Sequence, residues 1–274
     1  MPNPPNEKPT YSKRYKAYVL LLLTGVYTFN FIDRQILVIL QESIKGELGL
    51  SDTQLGLLTG LSFALFYVTL GIPVARLADK GNRRNIIAIS LALWSLMTAI
   101  SGLVTNFMQL LLARIGVGVG EAGGSPPAHS MISDYFPPER RATALSVYSL
   151  GIYFGILLGY IGGGWLNQLY GWRIALMALG IPGILYALLL LFTVKEPPKG
   201  LSDHQIQEKS SDSFADVLRL LASKKTFVFL ALGCGAQTFG NYGVGNFYAP
   251  FLARVHEMPV GEIGTWLGLT TGFG

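Results

Sequence analysis

Residues 17–40 read AYVLLLLTGVYTFNFIDRQILVIL, and two adjacent ionisable residues, Asp33 and Arg34, stand inside this otherwise uncharged stretch. A helix of about 20 apolar residues crosses a hydrocarbon core about 30 Å thick, so the segment is long enough to be a membrane span. Charge at that depth is costly unless it is paired, hydrated or in use, and such residues face the interior of a bundle. One segment therefore sets two expectations: a protein of membrane-crossing helices, and a functional group held among them.

The rest of the chain repeats the pattern. Half of the 274 residues are hydrophobic and 14% are charged, against about 25% charged in soluble domains. Uncharged runs cover 53–75, 85–113, 142–172, 174–194 and 226–253. Thr105 and Asn106 divide the second run and a polar turn at 167–171 divides the third. Seven spans are predicted, over 16–40, 51–77, 84–104, 107–131, 140–166, 172–194 and 226–252, with part of an eighth from 260. The chain ends on TWLGLTTGFG (265–274), which is apolar and uncapped, so it is expected to be cut short.

Orientation follows from the basic residues. Sixteen of the 21 lysines and arginines fall before the first span, in the 2–3 and 4–5 loops, or in residues 195–225. Lys45, Arg173 and Arg254 mark the other side, while Arg34 and Arg114 lie within spans. The N-terminus is therefore expected in the cytoplasm. The net charge of +5 reports topology and attraction to anionic lipid, not a nucleic-acid partner. Cys234 is alone, which excludes an internal disulfide and a thiolate metal cluster, and no cofactor is expected.

Residues 1–15 are Pro-rich and polar and read as a disordered cytoplasmic N-terminus. A six-helix bundle then covers 16–194. Within the linker 195–225, Phe214, Val217, Leu218, Leu220 and Leu221 interleave with Asp216, Arg219 and Lys224, the pattern of a short interfacial amphipathic helix. Residues 226–274 begin a second bundle. Two halves of three plus three helices with a midplane site describe a common transporter plan. Gly151, Gly155, Gly159 and Gly163 recur every four residues, a strip for close helix approach. Gly240, Gly243, Gly245 and Pro250, set among Asn241 and Asn246, predict a bent or unwound seventh span.

The 2–3 loop, ARLADKGNRR (75–84), resembles the signature loop of the major facilitator superfamily, Gly-x-Leu-Ala-Asp-Arg-x-Gly-Arg-Arg, with Ala75 and Asn82 replacing glycines. Residues 114–146, RIGVGVGEAGGSPPAHSMISDYFPPERRATALS, together with NFIDRQ (30–35), resemble its Spinster branch, which moves lysophospholipids and sphingoid phosphates. The resemblance implies an all-α major facilitator fold of twelve spans and a monomer in a bacterial inner membrane. The implied activity is alternating access for an amphipathic anion, coupled to protons. It also implies a conformational latch formed by Asp79, Arg76, Arg83 and Arg84, with Asp79 paired to helix ends. Organic-anion symporters of the same superfamily share the Asn-x-x-Asp-Arg segment, so a small carboxylate is the alternative cargo.

The intramembrane charges suggest a mechanism. At 1.5 Å per residue, Asp33 and Arg114 lie at similar depth, roughly 7 Å from the midplane, and an Asp33–Arg114 ion pair is expected. Arg34 projects about 100° round the helix from Asp33, where it could grip a phosphate. Glu121 would neutralise Arg34 in the absence of substrate and, with Asp33, carry the proton. Asn30, one turn away, could hold either side chain. Tyr27, Phe31, Phe63, Phe66, Tyr67, Tyr148, Tyr153, Phe154 and Tyr160 are candidate walls for an acyl chain, and Tyr153 is assigned to the substrate site. A static network fixing helix registry would use the same four charges. Ser125, His129, Ser130 and Asp134 raise a hydrolase reading, but no oriented nucleophile–base pair follows from their placement. A channel or receptor is the remaining alternative.

Overall fold

The computed structural model describes residues 10–202 and 214–273, and for 214 and 215 only the helical backbone. Among the described residues there are twelve α-helices and no strand. Helix α1, Lys13–Leu48, starts on Ser12, whose hydroxyl accepts from the Tyr15 N–H, and ends on Gly49 in the left-handed conformation (φ +64). The second span comprises α2 (Asp52–Gly56), a wide turn over Leu57–Leu61 and α3 (Ser62–Lys80). In that turn the Ser62 N–H bonds to the Leu57 carbonyl, five residues back rather than four. Next come α4 (Arg83–Ser101), α5 (Phe107–Glu121), α6 (Ser125–Tyr135), α7 (Pro138–Tyr170) and α8 (Trp172–Thr193). After the linker follow α9 (Phe214–Ser223), α10 (Lys225–Gly245), α11 (Tyr248–Val255) and α12 (Val260–Phe273). Among the described residues, five segments are long and apolar enough to cross a membrane: Lys13–Leu48, Asp52–Lys80, Arg83–Ser101, Pro138–Tyr170 and Trp172–Thr193.

Two expectations change. The predicted fourth span is broken at 122–124, because Pro126 and Pro127 in the first turn of α6 cannot donate backward to α5. Glu121 thereby becomes the last residue of α5. Residues 13–15, read as disordered, are helical, because Ser12 caps α1 and Tyr11 and Tyr15 pack on Tyr135 at 5.0 and 6.2 Å; residues 1–9 lie outside the described range. The seventh span breaks at 246–247 between α10 and α11, where glycine and asparagine crowd the sequence. The amphipathic linker helix is present as α9.

Two apolar clusters stack along the bundle. One joins Val19–Val26 of α1 to Leu91, Trp94, Met131, Tyr135 and Leu190. The other joins Ile36–Ile44 to Leu55, Leu110, Trp172 and Leu176. The charged part of α1 lies between them, so the intramembrane ions occupy a polar layer sealed above and below by packed side chains.

Helix α7 packs along α1 through its glycines. A Cβ at Gly151 would lie 2.6 Å from the Thr24 carbonyl, and one at Gly155 2.5 Å from the Thr28 carbonyl and Phe31 Cβ. On another face Gly164 meets α12, where a Cβ would lie 2.8 Å from the Val260 carbonyl and 3.2 Å from Gly264 Cα. One helix thus touches both its own bundle and the start of the next by near-backbone contact.

Replacing Gly155 and Gly162 by alanine should have effects of opposite sign. Gly155→Ala forces two backbones apart and is expected to cost about 1–3 kcal/mol. At Gly162 a Cβ meets only Leu179 methyls, at 3.8 and 3.9 Å, and Gly162→Ala is expected to be neutral or to stabilise by about 0.5–1 kcal/mol. Thermal unfolding midpoints in detergent compare the two.

Candidate functional site: a caged arginine in a polar layer

Arg34 leaves α1 toward Glu121 at the end of α5. Its Nη2 lies 2.8 Å from Glu121 Oε2, and its Nε–H donates to the same oxygen at 2.9 Å. The Glu121 side chain is fully buried, whereas Arg34 keeps 15% of its side chain exposed. Three rings surround the guanidinium: Phe31, Phe63 and Tyr67, with centroids 5.2, 5.0 and 5.1 Å from Cζ. Within this range a ring face attracts a cation, more strongly as water is removed. A carboxylate at a helix C-terminus faces the negative end of the backbone dipole, so Glu121 depends on nearby cations. Arg34 and Arg114 both act on it, and Asn30 lies within its reach.

The expected Asp33–Arg114 ion pair is not formed. Arg114 Nη1 instead reaches the main-chain carbonyl of Asp33 at 3.5 Å, and its guanidinium stands 5.9 Å from the Phe63 ring. The Asp33 carboxyl is 1% exposed, and its Oδ1 has no hydrogen-bond partner. Rotation of α1 explains the difference: residues 33 and 34 are about 100° apart, and once Arg34 faces Glu121 the carboxyl cannot also face Arg114.

Of the aromatic candidates, Phe31, Phe63 and Tyr67 gather at Arg34. Tyr27 stacks on Tyr148 at 4.5 Å, next to Phe31 at 5.2 Å. Tyr153, assigned to substrate from the sequence, is 48% exposed and belongs to the α7 face that meets α12 near Gly272; no ring contact joins it to the cage.

The predicted latch residues divide. Arg83 is buried and binds Asp134, Glu196 Oε1 at 2.7 Å, Ser130 Oγ at 2.8 Å and the Pro197 carbonyl at 2.8 Å. The Arg84 N–H donates to Glu196 Oε2 at 2.8 Å. Asp79, expected to pair with helix ends, is exposed, and its carbonyl accepts from Lys199 Nζ. Arg76 is likewise exposed. These residues fasten the segment after α8 to the end of the bundle where the chain begins, because Glu196, Pro197 and Lys199 return along α3, α4 and α6. Asp134 is thereby committed to Arg83 and Ser130 to the same guanidinium, while His129 lies edge-on to Tyr148 at 5.2 Å. This pairing leaves the hydrolase reading without an acid–base relay.

At the opposite end a second ionic group joins the two halves. Arg254, beyond α10, bonds Glu42 Oε1 and Asp52 Oδ1, each at 2.6 Å, and these carboxylates raise its pKa further. Gln41 Nε2 donates to the Asn246 carbonyl at 2.8 Å, and the Gly261 N–H to Gln168 Oε1 at 2.8 Å. By contrast α10 buries none of its residues. The halves therefore meet through α12 along α7 and through these ionic and polar groups, not through α10.

Removing the buried Arg83 cation would strand Asp134. Arg83→Ala is expected to cost about 3–5 kcal/mol and Arg84→Ala, more exposed, less than about 1 kcal/mol, read as losses of unfolding temperature and folded yield in detergent.

Comparison with known proteins bears on the fold. The family model described as Major Facilitator Superfamily matches residues 23–274. The crystal structure of a bacterial homologue of the human lysosomal transporter Spinster, inward-facing and unoccupied, superposes with a TM-score of 0.87 at 41% identity, covering 96% of this chain and 60% of that one. An MFS-type efflux pump of Mycolicibacterium smegmatis is 35% identical over 260 residues, 95% of this chain and 59% of the relative. A probable L-galactonate transporter of Escherichia coli is 31% identical over 191 residues, 69% of this chain and 42% of the relative. The chain thus spans 42–60% of the proteins it matches here.

Proposed function

The chain belongs to the major facilitator superfamily and is Spinster-like, and on that premise we propose that it works as a proton-coupled transporter of an amphipathic anion, a lysophospholipid or sphingoid phosphate. The observation that carries the reading is the caged, partly exposed Arg34 bound to Glu121. A guanidinium ringed by aromatic faces offers a planar fork to a phosphate, and the rings offer apolar surface to the chain attached to it. Substrate phosphate and Glu121 would compete for the one cation. Glu121, released from Arg34 in a buried layer, would take up a proton to avoid an unpaired buried charge, so substrate and proton would be exchanged through one residue. Asp33, also acted on by Glu121, would share in that titration.

Alternating access is supported by the uneven contact between the halves. Arg254, Glu42 and Asp52 close one end, while α10 stands away from the first bundle. With the N-terminus in the cytoplasm of a bacterial inner membrane, the closed end faces outward and the shape is open inward. A small carboxylate as cargo is favoured by one observation, the likeness to a protein named as a probable L-galactonate transporter. The aromatic cage favours the lipid.

Uptake into proteoliposomes carrying the intact protein tests the reading. Arg34→Ala should lower transport per folded molecule about 10-fold or more, the effect of losing a charge-assisted contact; Arg34→Lys should rescue it poorly because the fork is lost. Wild-type transport by Arg34→Ala would remove the phosphate grip. Competition decides the cargo: lysophospholipid should inhibit labelled uptake, and inhibition by a small carboxylate alone would favour the alternative. Glu121→Gln should flatten the pH profile of uptake; an unchanged profile would remove its proton role.

A further inference from the structure

The wide turn of the second span and the break of the seventh span meet, at a joint that the proposed function leaves unused. Asn246 stands at the break, and its Nδ2 lies 3.5 Å from the Thr59 carbonyl inside the turn. Its neighbour Phe247 covers the edge of the turn, where a Cβ at Gly56 would lie 3.9 Å from Phe247 Cζ. From α1, Gln41 Nε2 donates to the Asn246 main-chain carbonyl at 2.8 Å. Gln41 is 1% exposed and its Oε1 has no hydrogen-bond partner. A buried amide is costly unless bonded, so the bond to Asn246 ties α1 to the break.

Apolar packing seats the joint. Leu55 and Leu58 of the second span and Ala249, just past the break, share one buried cluster with Ile44 of α1. The turn ends at Leu61, and Phe63 follows it, stacked on Tyr67 at 5.5 Å with the rings 17° from parallel. A shift at the turn therefore carries both rings together. Wide turns are rare and occur mostly at functional sites. Asn246 and Phe247 touch this one at Gly56 and Thr59, three residues apart and so on one side of the helix.

We propose that Asn246 and Gln41 are positioning residues for the arginine cage: by seating the break of the seventh span on the wide turn, they hold Phe63 and Tyr67 against Arg34. The proposal rests on the reading of the cage as the anion site and adds what assembles it. All three rings of the cage belong to the first bundle, yet one of its supports comes from the start of the second. Carrying α11 away from α1 withdraws the Asn246 amide from Thr59 and uncovers the turn. The rings then hold the cation only while this end of the molecule is shut. An anion on Arg34 thus meets its aromatic wall in one arrangement of the halves and not in the other.

Fluorine NMR of a fluorotyrosine placed at position 67 of the intact protein, in lipid nanodiscs, reads the cage without any substrate. Arg34→Gln sets the direction in which the resonance moves when ring and cation part. Asn246→Ala and Gln41→Leu each remove one neutral hydrogen bond of the joint and should raise the population of the parted state about 5-fold. Trp165→Phe is the control. It cuts the bond from Trp165 Nε1 to Thr265 Oγ1, 3.0 Å, between α7 and α12, so it loosens the halves elsewhere and should leave the resonance in place. If Asn246→Ala does not fold, Gln41→Leu is read against the same control. A resonance unmoved by the joint variants, or moved as far by Trp165→Phe, overturns the proposal. A wild-type protein that transports no amphipathic anion, with the ring still moved by the joint variants, would instead overturn the function proposed above and leave the joint standing.

Discussion

Ionised groups inside an apolar bundle must be paired, because a charge moved out of water loses solvation that only close counter-charges and dipoles can replace. Four such groups, Asp33, Arg34, Arg114 and Glu121, occupy one layer of this molecule. Packed side chains above and below it keep the layer from spreading. Helix positions follow from satisfying it: α5 must end where Glu121 meets Arg34, α3 must bring two rings to the same cation, and α1 must turn its neighbouring acid away. The glycine strip of α7 lets α1 sit close enough to its neighbours for these distances to be met.

The same layer connects stability to activity. A guanidinium bound to a carboxylate and stacked among rings is stable at rest, and under the proposed function each of those contacts is exchanged for a contact with an incoming anion. At the two ends of the bundle the ions are arranged differently. Around Arg83 they are buried and bind one half to itself; around Arg254 they are exposed and bind one half to the other. Exposed pairs hold weakly, which suits the opening that the proposed cycle requires of this contact.

Much of this was legible in the sequence. Span length and hydropathy mark the helices because lipid leaves the backbone few alternatives, and the break in the seventh span was visible in its glycines and Asn246. Arg34 and Glu121 were recognisable because charge is rare in such segments. The partner of Asp33 was not: equal depth made Arg114 plausible, but adjacent residues on a helix point about 100° apart, and which one faces α5 is set by packing across the bundle. The break after Glu121 was signalled by Pro126 and Pro127, yet hydropathy alone ran straight through it. Asp79 was placed by analogy with a loop pattern, and such a pattern does not fix how a side chain meets water.

The wide turn at Leu57–Leu61 carries a consequence for how the cage was built and how it can change. A five-residue hydrogen bond accommodates one extra residue, and everything beyond it is screwed round by about 100° relative to an uninterrupted helix. Phe63 and Tyr67, on consecutive turns just past that point, owe their aim at Arg34 to this phase offset. Substituting any one residue of the turn leaves the offset in place. Deleting one would restore the regular winding and sweep both rings off the cation at once, while shortening the span by only about 1.5 Å. The aim of these rings is therefore encoded in a residue count as much as in residue identity, and a single-codon deletion would change it with the aromatic side chains themselves unaltered.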